Sequence, residues 1–344
     1  MKNQFSRLLK PAAGSLSLAA WGLVAALTLP AVGLLWDGAW HLTFGRDTFW
    51  SPPHVLLYAG VTLSLFISTT TIAVSTLRQD SRDNVFALGP WRAPPGATVV
   101  LAGTATMLAA APFDNWWHVT FGRDSGLWSP PHLAGLIGGS LTGLGAVMFI
   151  HGESDRRSKL EGARLWATLL LLGCFTLGVG AIGLGPYSIR HEQRTDPSLY
   201  PIASCLVGTF ALTLSQRVTG RPGAATVVAL AQFGLNGVVG AALTASGYER
   251  VVSLPPLMIG SAVAADVVFA RWGHRPASAW PWVAGLVFAI TFFPIEAVWS
   301  RSLTGLMWPL IPALTAFCLA LPASLVGAMA GEWLGHTIAA KGEE

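Results

Sequence analysis

Charged residues are scarce in this sequence: Asp, Glu, Lys and Arg make up 11% of its 344 residues, while 52% are hydrophobic. Soluble domains carry about 25% charge, so an ordinary water-facing globule is excluded. No formal charge at all falls within residues 11–36, 48–77, 165–189, 222–248 or 302–331. A hydrocarbon core needs about 20 apolar residues of helix, and each of these runs is longer than that. Cysteine is scarce too. Cys174, Cys205 and Cys318 are scattered through apolar segments without C-x-x-C spacing, which argues against a disulfide framework and predicts core positions. The net charge of +4 is small and gives no case for nucleic-acid binding. A signal-peptide core is shorter than the first apolar run, and no small-residue cleavage site follows it, so that run is expected to be retained as a helix.

Glycine and tryptophan are plentiful, at 38 and 15 residues. Both suit packed membrane helices with aromatic belts at the interfaces. The apolar pattern predicts about ten spans, near residues 13–36, 54–77, 97–113, 131–151, 164–186, 200–217, 223–246, 252–271, 279–299 and 306–338. Pro309, Pro312 and Pro322 interrupt the last, which is read as one span or two short helices. The expected fold is therefore an all-α integral membrane protein, a polytopic bundle of about ten transmembrane helices. Of the 21 Lys and Arg, all but Arg46, Arg123, Arg190, Arg194, Arg250 and Arg301 fall on one side of this topology. Positive residues favour the cytoplasmic face. Both termini are thus expected in the cytoplasm, and every second loop, beginning with residues 37–53, faces outward.

The outward loops look related. Pro52-Pro53, Pro130-Pro131, Pro201, Pro255-Pro256 and Pro309 each stand near the start of the following helix, where a missing N–H costs nothing. Ser253-Leu254-Pro255-Pro256 with Gly260 echoes Ser51-Pro52-Pro53-His54 with Gly60, without the histidine. Internal two-helix repeats would produce this pattern, and so would a general preference of helix entries for proline.

One segment is duplicated beyond doubt. Asp37-Gly-Ala-Trp40-His41-Leu-Thr-Phe44-Gly45-Arg46-Asp47, followed by Trp50-Ser51-Pro52-Pro53-His54, returns 77 to 78 residues later. The second copy reads Asp114-Asn-Trp-Trp117-His118-Val-Thr-Phe121-Gly122-Arg123-Asp124, then Trp128-Ser129-Pro130-Pro131-His132, with one extra residue before its tryptophan. Asp at i and His at i+4 share a helix face. The later histidine opens the next helix, so a short loop can fold it back on the first pair. Two imidazoles and one carboxylate with open positions suit non-haem iron, zinc or copper. Arg46 with Asp47, and Arg123 with Asp124, are placed to pair locally and orient the ligands. Snorkelling at a membrane boundary is the plainer explanation of such residues. Recurrence at one spacing and depth favours a functional site. Trp40, Trp50, Phe44, Trp117 and Trp128 then either line an apolar pocket or form an ordinary belt.

The first copy resembles the signature of the C-type membrane subunit in the copper membrane monooxygenases, the family of particulate methane monooxygenase and ammonia monooxygenase. The matching residues are Asp37, Trp40, His41, Arg46, Asp47, Thr48, Ser51, Pro52, His54, Val55 and Tyr58. The resemblance implies copper ligation by Asp37, His41 and His54. It also implies a second site further along, where the family has Asn-x-x-x-His and a histidine fourteen residues on. Asp114, His118 and His132 keep that spacing with Asp in place of Asn. Likeness extends over about residues 13–150, which divides the chain into a motif-bearing region, 1–160, and a further bundle of unrecognised type, 161–344. It implies hydroxylation of a small apolar substrate with O₂, in an assembly with partner subunits or further copies of the chain. The alternative is a membrane metal carrier or storage protein without redox turnover, which should hold further ligands deeper in the bundle. A third reading is a relative whose sites serve only assembly. The expected location is a bacterial-type inner membrane, with the motifs toward the outer, periplasmic side.

Other polar residues carry weaker signals. His151 and Glu153 sit beside Arg156 and Arg157 as in a solvated cluster, and His191, Glu192 and Asp196 lie on an outward loop. Asp266, Glu296 and Glu332 interrupt apolar stretches, where carboxylates are unusual. None has a histidine at ligand spacing except Glu332, whose His336 lies near the C-terminus at the opposite membrane face.

Overall fold

A computed structural model describes residues 18–45, 48–79, 85–121, 129–152, 161–184, 199–248, 256–275, 279–304 and 308–340. Within these residues the chain forms α1 (Leu18–Phe44), α2 (Pro52–Leu77), β1 (Phe86–Leu88), β2 (Trp91–Ala93), α3 (Pro95–Phe121) and α4 (Pro130–Gly152). There follow α5 (Glu161–Leu184), α6 (Leu199–Thr219), α7 (Ala224–Ala245), α8 (Ile259–Trp272), α9 (Trp280–Thr304) and α10 (Leu310–Ala340). Among the described residues, seven helices are long and apolar enough to cross a membrane: α1 to α4, α7, α9 and α10. Many large apolar side chains point outward, among them Phe66, Val238, Val298 and Ile311, as expected where the surroundings are lipid.

The helices that carry the duplicated motif pack in pairs, α1 on α2 and α3 on α4, with α2 also against α3. Both pairs use the same register. A Cβ on Gly60 would meet the Ala26 carbonyl at 2.6 Å and would also strike Pro30. On Gly138 it would meet the Gly103 carbonyl and Met107, each at 2.7 Å. Positions 103, 107 and 138 stand 77, 77 and 78 residues after 26, 30 and 60, the offsets of the sequence duplication. Glycine lets the two backbones approach closely, as membrane interfaces require.

Local sequence also sets the helix starts. Ser51 is extended (φ −58°, ψ 148°), and Pro52 and Pro53 open α2 where no intrahelical donor is needed. The Val55 N–H donates to the Ser51 carbonyl at 3.0 Å, and that of Leu133 to Ser129 at 2.9 Å. His54 and His132 are thereby fixed in the first turns of α2 and α4.

The remaining helices depart from expectation in instructive ways. A short antiparallel hairpin, β1 with β2, lies between α2 and α3. Its turn carries Gly89 at φ +58° followed by Pro90, and the Arg92 N–H donates to Thr76 Oγ1 at 2.9 Å. Helix α8 spans only 14 residues, because residues 256–258 are not helical. There the Leu257 N–H donates to Glu296 Oε2 at 2.8 Å, so a fully buried carboxylate on α9 satisfies irregular backbone. Asp266 plays the same part for α7. It accepts from Thr226 N–H (2.9 Å), Thr226 Oγ1 (2.6 Å), Ala225 N–H (3.3 Å) and Gln216 Nε2 (2.9 Å).

Helix α10 runs unbroken through Pro322, with Pro312 in its first turn where proline is tolerated. It is bound to α6 by the Thr209 and Thr213 hydroxyls, which donate to the carbonyls of Ser324 (2.9 Å) and Ala328 (3.1 Å). Arg217 donates from Nε to Glu332 Oε2 at 2.7 Å, and its guanidinium lies over the Trp280 ring at 5.5 Å. Glu332 is thus the partner of a cation from another helix. Cys174 and Cys205 are buried as expected, but Cys318 is exposed on α10, so it is no core residue.

Candidate metal centre

Each copy of the motif closes around its aspartate. Asp37 and His41 lie one turn apart near the end of α1, and His54 enters from the first turn of α2. Asp37 Oδ2 is 3.6 Å from His41 Nε2, and Asp37 Oδ1 is 3.4 Å from His54 Nε2. In the second copy Asp114 Oδ2 is 3.4 Å from His118 Nε2, and Asp114 Oδ1 is 3.3 Å from His132 Nε2. All three ligand atoms of this second set lie within 4.8 Å of one another. In each copy the aspartate thus lies close to both histidines, and the mutual approach of all three ligand atoms is shown for Asp114, His118 and His132. Arg46, Asp47, Arg123 and Asp124, expected to orient these ligands, lie outside the described residues, as do Trp128, Glu153, His191, Glu192 and Asp196.

The chain folds back at Gly45, whose φ of +78° ends α1 while its N–H donates to the His41 carbonyl at 3.1 Å. Glycine meets this left-handed conformation without strain. The loop then delivers the Thr48 carbonyl to His54 Nδ1 at 3.0 Å. A carbonyl only accepts, so Nδ1 carries a proton, and with the ring neutral an Nε2 lone pair faces Asp37 Oδ1. Two acceptor atoms facing each other at 3.4 Å need a cation between them, either a proton or a metal.

Those separations suit a metal. Bonds of about 2.0–2.2 Å to nitrogen and oxygen in a tetrahedral arrangement put neighbouring ligand atoms about 3.3–3.5 Å apart. The observed contacts of 3.3–3.6 Å match that edge and exceed the usual range for a hydrogen bond between the groups. Asp114 Oδ1 is moreover buried and accepts no hydrogen bond. The donor set fits iron, zinc or copper alike.

The two sites differ in how the later histidine is held. His132 Nδ1 contacts the Ser129 hydroxyl at 3.0 Å, whereas the matching Ser51 hydroxyl is buried without a hydrogen bond. Groups that orient a ligating histidine typically change metal affinity about 10- to 100-fold when removed. Ser129→Ala is accordingly expected to weaken metal binding at the second site by about that factor, read by competition with a chelator, and Ser51→Ala to leave the first site unchanged.

Sequence reasoning found the six candidate ligands but missed the Thr48 carbonyl and the Ser129 hydroxyl. A backbone carbonyl leaves no mark in a sequence. Ser129 could have been noticed from its place three residues before the histidine. The aromatic residues separate into two groups. Trp50 (71% exposed) and Phe44 (60%) face outward, while Trp40 and Trp117 are half-buried. His151 is half-buried, with Nδ1–H donating to the Val147 carbonyl of its own helix at 3.0 Å. The chain matches no protein-family model, no curated protein and no solved structure.

Proposed function

We propose that this chain is a membrane metalloprotein with two Asp/His/His sites, the first a copper centre like that of the C-type subunit in the membrane monooxygenases. One observation carries the reading: two aspartates 77 residues apart each gather two histidine Nε2 atoms, from the same helix and the next, at 3.3–3.6 Å. Copper is chosen over iron and zinc because of the motif resemblance. Bound copper would supply electron exchange with O₂ at an open coordination position. The chain's own part is to set Asp37 against both His41 and His54 and to keep the His54 proton on Nδ1 through Thr48.

The same reading extends to architecture. The shared register of Gly60 and Gly138 supports an origin of α1–α2 and α3–α4 as duplicated two-helix units. About ten spans is the reading of the apolar runs, and cytoplasmic termini with an outward-facing pair of sites is the reading of the Lys and Arg distribution. Partner subunits or further copies of the chain would complete the assembly. A metal carrier is the competing reading. It asks for ligands deeper in the bundle, yet Asp266, Glu296 and Glu332 are engaged by donors of the protein itself.

Metal analysis of the purified protein tests the sites. Wild type should hold two equivalents, and His41→Ala and His118→Ala about one each. Unchanged metal in both variants would sink the ligand assignments. Oxygen consumption with short alkanes, alkenes or ammonia, set beside metal uptake into vesicles, separates the functions. Uptake without oxygen consumption would make the carrier correct.

A further inference from the structure

We infer that Trp40 and Trp117 are the hydrogen-bond donors that receive a small oxygen- or nitrogen-based ligand at the two metal sites. This rests on the metal reading above and adds to it the residue that recognises what the metal binds.

The two tryptophans occupy matching positions, three residues after the aspartate and one before the first histidine. At 3.6 residues per turn each lies about 60° round the helix from its aspartate. Long side chains on a helix lean toward its N-terminus, which carries each indole back over the turn that bears the carboxylate. Neighbouring rings hold them there. Trp40 packs on Phe44 with centroids 4.8 Å apart, and Trp117 on the matching Phe121 at 4.5 Å.

In both copies the indole Nε1 is buried and has no hydrogen-bond acceptor. Burial of these atoms keeps lipid headgroups and bulk water from serving as that acceptor. A buried donor without a partner is costly, and its recurrence at two matching places calls for a common cause. Asp114 Oδ1, on the same turn as Trp117, is also buried and accepts no hydrogen bond. The carboxylate and the indole therefore do not satisfy each other. An ion held by the carboxylate, carrying an acceptor ligand of its own, would satisfy both. Trp36 Nε1 is a third such donor, but its counterpart is Phe113, so the two sites do not share it.

The test uses the full-length protein in lipid nanodiscs, loaded with Cu(II) and titrated with azide while the azide-to-copper charge-transfer band is followed. Trp40→Phe and Trp117→Phe should keep the wild-type metal content, and each should weaken azide binding at one site about tenfold. Trp116→Phe, which removes an exposed indole from the same helix end, should bind azide as wild type does. Full metal content with unchanged azide affinity in both variants would overturn the proposal alone and leave the indoles as packing residues. Loss of metal from the variants would overturn it too, since the indoles would then be supporting the ligands. If wild type takes up no metal, the metal reading falls and the proposal falls with it.

Discussion

Asp37→Ala combined with Asp114→Ala should leave the protein unable to hold metal, with each single substitution removing one equivalent. The aspartate is the sharper target in each site because its two oxygens face two different histidines. Taking it away removes a ligand, the contact that links the two imidazoles, and the negative charge that offsets a cation near the hydrocarbon. Residues that merely orient a ligand are worth about 10- to 100-fold in affinity, so loss of the aspartate should exceed about 100-fold. Equilibrium dialysis against a chelator of known strength gives the number.

The same substitution makes a second prediction of opposite sign. Without metal, Asp114 brings a buried oxygen that accepts no hydrogen bond and faces the His132 imidazole at 3.3 Å, and a buried acceptor left so ordinarily costs about 1–3 kcal/mol. Metal-free Asp114→Ala should therefore melt no lower than metal-free wild type. Metal should then raise the midpoint of wild type much more than that of the variant, because a ligand stabilises only the state that binds it. A carboxylate retained for structure alone would give the reverse, a metal-free variant well below wild type. Thermal unfolding in detergent, with and without copper, decides between them.

Local pattern explains why the two Asp/His clusters could be anticipated from sequence. Asp37 and His41 meet because of the helical repeat, and His54 is placed by a double proline five and six residues beyond Asp47. Duplication then turned an ambiguous set of ionisable residues into a recurring one. The apolar runs made the long helices equally plain. What escaped depends on contacts between distant segments. Helix α8 begins later than its apolar run because Glu296, some forty residues on, takes up the Leu257 N–H. The hairpin at residues 86–93 is announced only by Gly89-Pro90, and the fate of Cys318 depends on which face α10 turns toward its neighbours. Carboxylates in apolar stretches looked alike in sequence. Their partners divide them into two kinds.

Asp266→Ala should accordingly behave unlike either motif aspartate and lower stability by about 3–5 kcal/mol whether or not metal is present. Its carboxylate is buried and accepts four hydrogen bonds, two of them from backbone N–H groups at the start of α7. Those N–H groups belong to the first turn of a helix and have no intrahelical acceptor. Alanine would leave them, with the Gln216 amide, buried and unbonded in an apolar bundle where water offers little relief. The negative charge also lies at the positive end of the helix dipole, which adds to the loss. Asp266→Asn keeps one acceptor oxygen but gives up the charge, and should fall between wild type and Asp266→Ala. Stability measured by denaturant titration, together with metal content, provides the check. A stable Asp266→Ala that loses metal would move this residue from the scaffold to the metal path and revive the carrier reading. A destabilised variant that still binds two equivalents would place Asp266 among the residues that hold α7 against α8, separate from the chemistry at Asp37 and Asp114.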